Sequence, residues 1–115
     1  TKTKFIYDDD GNLSKECVYD GDGSTLYTAE FKYDKDNNVI EVLNLNGNGK
    51  KVFHTTMTYD EHGNQITSVE SNNRGETSKV LSKYTFDQNG NWIKEIVYKN
   101  DQLKLYIERE INYSK

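Results

Sequence analysis

The residues of this chain best equipped for chemistry are carboxylates, and the chemistry they first point to is calcium binding. The stretches "DDDGN" at 8–12 and "DGDGS" at 20–24 hold the acidic and glycine residues of an oxygen-ligand loop. A twelve-residue calcium loop needs glycine at its sixth position and a bidentate glutamate at its twelfth. Counted from Asp20 these positions hold Thr25 and Phe31, and counted from Asp8 they hold Leu13 and Tyr19. Only a weak, non-standard site is left open. Zinc has less to work with: His54, His62 and Cys17 lie in different segments and without ligand spacing. Nucleophilic catalysis needs a nucleophile, a base and an orienting group held together, and no segment stands out as adapted for that. The expectation is no catalytic residue, no metal and no cofactor.

Aromatic rings are the other chemical resource. The chain has nine tyrosines and one tryptophan, with asparagine throughout. A ring flanked by amides and hydroxyls can stack on the C–H face of a sugar. Trp92 directly follows "QNGN", and Tyr98 and Tyr19 end equivalent segments, so these three are the candidate ligand contacts. A core role for Trp92 stands beside that reading, because its aligned positions hold Leu13 and Val39.

These residues sit in a repeat. "YDDDGN" at 7–12 returns as "YDKDNN" at 33–38, "YDEHGN" at 59–64 and "FDQNGN" at 86–91. The leading aromatics Tyr7, Tyr33, Tyr59 and Phe86 are 26, 26 and 27 residues apart, and Tyr113 opens a partial fifth unit. A fixed period of this length marks a repeat architecture. Each phrase reads as a turn. Asp8, Asp34, Asp60 and Asp87 can accept bonds from backbone N–H groups two residues on. Gly11, Asn37, Gly63 and Gly90 then occupy a position that calls for positive φ.

Before each leading aromatic the residues alternate. Phe5, Phe31, Met57 and Tyr84 precede it by two, and Tyr27, Phe53 and Val80 by six, with Thr3, Ala29, Thr55 and Ser82 between. Lys4, Glu30, Lys32, Thr56 and Lys83 fill the alternate positions. Period-two patterning predicts strands with one apolar and one wet face. The segments after each turn are also strand-like, with Leu13, Val39 and Trp92 sharing a face with Cys17, Leu43, Val69 and Ile96. Ile40, Ile66 and Ile93 point the other way, which a bulge or partial cover on both faces would explain. The second connections, "DGDGST", "NLNGNGKK", "SNNRGETS" and "KNDQ", read as longer, looser loops. The expected fold is all-β: a curved antiparallel meander of about nine strands, as an open sheet or half-barrel, in one domain over residues 1–115.

Bulk properties narrow the function. The chain has 115 residues, 33% hydrophobic and 30% charged, so its core must be thin. Net charge is −4, and with no basic patch nucleic acid is not an expected partner. No apolar run reaches membrane-spanning length. The single cysteine, Cys17, cannot form an internal disulfide. An uncovered apolar face or a free edge offers self-association, although "TKTK" and "EREINYSK" put charge on the two edge segments.

The turn phrase on its period resembles the RHS/YD repeat. The closing "YTFDQNGNWIKEIVY…EREINY" is similar to the ends of exported bacterial repeat proteins. Asn37 in place of glycine and Phe86 in place of tyrosine depart from the pattern. The resemblance implies β-hairpin repeats in a continuous curved sheet, an extracytoplasmic location, and a chain that belongs to a longer array. It carries over no catalytic residue. The function expected is a non-enzymatic binding or scaffold module with a glycan or protein partner. The alternative is a carbohydrate-binding module using the turn-proximal aromatics.

Overall fold

A computed structural model describes residues 1–113. Nine strands follow one another: β1 (Lys2–Tyr7), β2 (Leu13–Tyr19), β3 (Thr25–Tyr33), β4 (Val39–Asn46), β5 (Lys51–Tyr59), β6 (Gln65–Asn72), β7 (Thr77–Phe86), β8 (Trp92–Lys99) and β9 (Gln102–Glu108). They form one open antiparallel sheet in chain order, with β1 and β9 at its edges. The sheet is a meander that does not close. No described residue is helical. Its Cα extents are 61 × 33 × 24 Å, and the 24 Å depth of a single layer reflects strand twist and curl.

The turns between these strands are one structure used repeatedly. In the phrase at 7–12, Asp8 Oδ1 accepts the N–H groups of Asp10 and Asn12, both at 2.9 Å. Gly11 N–H donates to Asp8 O and Asp8 N–H to Asn12 O. The same bonds recur at Asp34, Asp60 and Asp87. The positions Gly11, Asn37, Gly63 and Gly90 have φ of 83°, 65°, 83° and 80°. The second connections differ from the loose loops expected of them. Asp20, Asn46 and Asn72 make the identical pair of N–H bonds, and Gly23, Gly49 and Gly75 take positive φ. An asparagine amide oxygen accepts two N–H groups as well as a carboxylate oxygen does, so one turn serves seven of the eight hairpins. The eighth, Asn100–Asp101, is a two-residue turn with φ of 50° and 68°.

The faces also depart from expectation. Residues directly opposite in a ladder point to the same side. Phe5 lies opposite Glu16, Ala29 opposite Asn44, Met57 opposite Ser68 and Tyr84 opposite Glu95. The aromatic face is therefore crossed by rows of polar residues from β2, β4, β6 and β8. The other face pairs Lys4 with Cys17, Glu30 with Leu43, Thr56 with Val69 and Lys83 with Ile96. Neither face is wholly apolar. Four described residues are buried: Cys17, Val18, Thr28 and Ala29, at the centre of β2 and β3. The accessible surface is 8327 Å². A compact monomer of 13.4 kDa has roughly 6,500 Å².

A bulge accounts for the isoleucines. Ile6 pairs with Lys15 but Tyr7 with Leu13, which leaves Ser14 as the extra residue. Ile40, Ile66 and Ile93 are the extra residues at the corresponding points of β4, β6 and β8. The shift sets Leu13, Val39 and Trp92 opposite Tyr7, Tyr33 and Phe86. These three residues thus lie on the aromatic face and do not share a face with Cys17, Leu43 and Ile96.

Because the turns are equivalent, Gly63→Val and Gly75→Val are expected to destabilise alike, by about 1–3 kcal/mol each, in urea denaturation. A loss confined to Gly63→Val would refute the equivalence. Small-angle scattering should give a radius of gyration near the 18.3 Å of the Cα trace, against about 13 Å for a compact chain of this length.

Candidate functional site

The meander puts the turns in two rims. Those built on Asp8, Asp34, Asp60 and Asp87 lie at one end of the strands, and those built on Asp20, Asn46 and Asn72 at the other. Along the first rim, tyrosines tie each repeat to the one before. Tyr33 donates its hydroxyl to the carbonyl of Leu13 at 2.8 Å, and Tyr59 donates to that of Val39 at 2.7 Å. Both carbonyls sit at the bulge, where the ladder is interrupted and an acceptor is available. Burial and the nearby Asp34 charge raise the Tyr59 pKa, so its hydroxyl stays a donor. Phe86 cannot make this bond, and its ring instead packs on His62 of the preceding turn at 4.2 Å between centroids. Asn12 Nδ2 also donates to Asn37 Oδ1 of the next turn, at 2.8 Å.

Trp92 sits on this rim in a cluster that had no counterpart in the sequence reading. The guanidinium of Arg109 lies 3.8 Å from its ring centroid, and Arg109 Nε donates to Trp92 O at 2.6 Å. Arg109 thus takes the bulge carbonyl that a tyrosine takes in the earlier repeats. The Tyr84 ring meets Trp92 edge-on at 6.2 Å, and Tyr84 donates to Glu95 Oε2 at 2.9 Å. Tyr113 bonds Asp87, and Asn91 Nδ2 donates to Tyr113 Oη at 2.8 Å. A signal for Arg109 existed: it is the one long side chain in a row otherwise made of Thr3, Ala29, Thr55 and Ser82.

The three aromatic candidates do not converge. Tyr98, next to last in β8, and Tyr19, last in β2, lie at the opposite rim from Trp92. Lys83 Nζ stands 5.6 Å from the Tyr98 ring centroid. Six strand spacings separate Tyr19 from Tyr98, roughly 29 Å at about 4.8 Å each. Tyr19 instead borders a shallow depression of about 550 Å³ with Lys2, Lys4, Asp20, Gly21 and Gly23.

A second polar cluster lies on the face opposite the aromatics. His54 Nε2 is 2.7 Å from Glu41 Oε1, and Lys32 Nζ is 3.6 Å from Glu41 Oε2. The His54 hydrogen bond holds the Glu41 carboxyl below the usual range. The Asn38 N–H does the same for Asp34, and the Tyr113 hydroxyl for Asp87. Asp22 is lowered to about 2, mainly by its contact with Asp20. Burial, then the bond to Glu95, raises Tyr84. These shifts move carboxylates toward permanent charge and tyrosines toward permanent neutrality, away from the near-neutral pKa that proton transfer needs. Among the described residues, no group of three or more His, Cys, Asp or Glu is placed to hold a metal ion.

Comparison with models of known protein families and with curated protein sequences finds no match to this chain.

Removing one strut should cost about 1 kcal/mol: Tyr59→Phe is expected to lower stability by that amount in urea, and Phe86→Tyr to raise it if its hydroxyl reaches the bulge carbonyl of Gln65. No change in either variant would mean the struts carry no net energy. A pH series of melts tests the carboxylates. Depressed folded-state pKa values at Asp34, Glu41 and Asp87 give stability that is present above the ordinary carboxylate pKa, about 4. That contribution is lost as pH falls below it, so the melting temperature should hold near neutrality and decline through acid. A flat profile down to pH 2 would contradict this.

Proposed function

We propose that this chain is a non-enzymatic binding or scaffold module of the YD-repeat kind, acting outside the cytoplasm through its surface. The observation that carries this reading is the strutted single layer. Repeats are pinned to their neighbours through Tyr33, Tyr59 and Arg109 at bulge carbonyls, and through the Phe86–His62 ring contact where the tyrosine is missing, leaving both faces of a 61 Å plate accessible. Such a plate presents side chains at fixed spacing and offers no enclosed volume in which to exclude water from a reaction. The location and the kinship with YD repeats rest on the turn phrase and its period. Exposed Phe5, Tyr7, Tyr27 and Phe53 give the aromatic face material for a protein contact.

The carbohydrate alternative asks Trp92 to stack on a sugar. Arg109 already covers one of its ring faces and Tyr84 meets it edge-on, and its two partner tyrosines are at the far rim. Titrating Trp92 emission with a panel of soluble polysaccharides separates the two readings. The scaffold reading expects no saturable shift with any of them. A saturable shift with one polysaccharide, abolished by Arg109→Ala, would overturn it in favour of glycan binding.

A further inference from the structure

We propose that the free edge of β9 is a two-fold interface between two copies of this chain, centred on Tyr106. The inference rests on the surface-acting reading above and names the partner for one part of that surface. Among the described residues β9 pairs only with β8, and its Leu103, Leu105 and Tyr106 side chains are 59%, 45% and 51% exposed. The backbone is set for strand addition. Arg109 N–H donates to Ile93 O at 2.8 Å. Bonded and non-bonded pairs alternate in an antiparallel ladder. Ile107 and Leu105, opposite Glu95 and Val97, therefore bond inward to β8, and the N–H and C=O groups of Tyr106 and Glu108 face the open side.

A two-fold axis normal to the sheet brings a second β9 alongside, antiparallel, with both faces continuous across the join. Only registers that pair residues of the same parity keep side chains on matching faces. With Tyr106 on the axis, Leu105 meets Ile107 of the second copy and Lys104 meets Glu108, and each pair occurs twice by symmetry. Lys104 is the extra residue of the bulge between the Leu105 and Leu103 pairings. A bulged lysine on an edge ordinarily discourages strand pairing. Here each lysine is answered by a glutamate of the mate, so the same charge that rejects other strands selects this register. Within the chain Glu108 accepts a hydrogen bond from the Tyr106 hydroxyl and has Lys94 as an exposed partner at 3.9 Å, a contact weak enough to shift, and an acceptor oxygen is left for the mate's lysine.

The other edge does not fit as well. A two-fold centred on Phe5 sets Lys4 against Ile6, and one centred on Lys4 opposes like charges. Antiparallel joining of β9 to β1 requires one sheet to be turned over, which sets Ile107 and Arg109 on the side of Lys2 and Lys4. Pairing β9 with β9 about Tyr106 is the arrangement that matches both the apolar pair, Leu105 with Ile107, and the charged pair, Lys104 with Glu108; the next pair out sets Leu103 beside Arg109. A strand-edge contact is small, so the dimer forms and dissociates with concentration.

Sedimentation velocity of the 115-residue chain from micromolar to near-millimolar concentration tests this. The expected result is a monomer–dimer equilibrium. Lys104→Glu or Glu108→Lys alone should weaken it by about tenfold or more, and the double charge swap should restore it. As a second measurement, Tyr106→Cys in a Cys17→Ser background should oxidise to a covalent dimer, because a bonded antiparallel pair has Cα atoms about 5.5 Å apart. Phe5→Cys in the same background should not. A monomer at every concentration, or a dimer indifferent to the charge reversals and to their combination, overturns the proposal. Either outcome leaves the surface-acting reading standing, since the Trp92 titration tests that separately.

Discussion

One side-chain oxygen that accepts two backbone N–H groups is the interaction on which this fold depends. Asp8 Oδ1 holds the amides of Asp10 and Asn12, and the same arrangement recurs at six further turns. A sheet one strand deep has no second layer to punish a register slip, because neither face is fully buried. A slip by one residue would otherwise exchange two half-exposed faces at little cost. Register must therefore be set locally, at each reversal of the chain. The Asx oxygen does this by closing a five-residue turn of fixed length, and the following positive-φ residue returns the strand in its place.

The bulge and the strut complete that logic. Fixing the turn leaves an interrupted ladder beside it and a carbonyl that needs a donor. Tyr33 and Tyr59 supply one from the next repeat, and Arg109 supplies one at the last. The leading aromatic of the phrase is thus also a link between repeats, which explains why its period matches that of the turn. Where Phe86 breaks the pattern, the His62 ring takes over as a packing partner. Energetically the arrangement trades core for backbone. Four described residues are buried, while every turn oxygen and both tyrosine hydroxyls are engaged in bonds across short distances.

The all-β meander was legible because the period-two alternation and the recurring Asp-x-x-Gly spacing agree with each other. The second set of turns was equally present in the letters: Asp20, Asn46 and Asn72 each stand three residues before a glycine. The phrase is less uniform there: only Asp20 keeps both the aspartate and a leading tyrosine, Tyr19, while Asn46 and Asn72 replace the aspartate and follow Leu45 and Ser71. The face assignment failed for a different reason. Alternation within one strand says which residues share a side, but a bulge reverses that parity, and its position depends on pairing that a single strand does not reveal. Trp92 illustrates this: it aligns with Leu13 and Val39, yet its neighbours are Tyr84 of β7 and Arg109, just past the end of β9. The candidate site suffered most, since Tyr19 and Tyr98 are equivalent in the repeat but six strands apart, and Trp92 stands at the opposite end of β8 from Tyr98.

A strutted plate of equal turns is suited to holding and presenting surface, and that is how form leads to the proposed role. Its central claim is that one turn fixes the register at both rims. The most direct measurement is amide hydrogen exchange followed by NMR at the fifth residue of each turn. Asn12, Asn38, Asn64 and Asn91 on one rim, and Ser24, Lys50 and Glu76 on the other, all donate to an Asx oxygen. The account predicts comparable protection at all seven. Unprotected exchange at Ser24, Lys50 and Glu76, with the other four protected, would contradict it and return the second rim to loose loops.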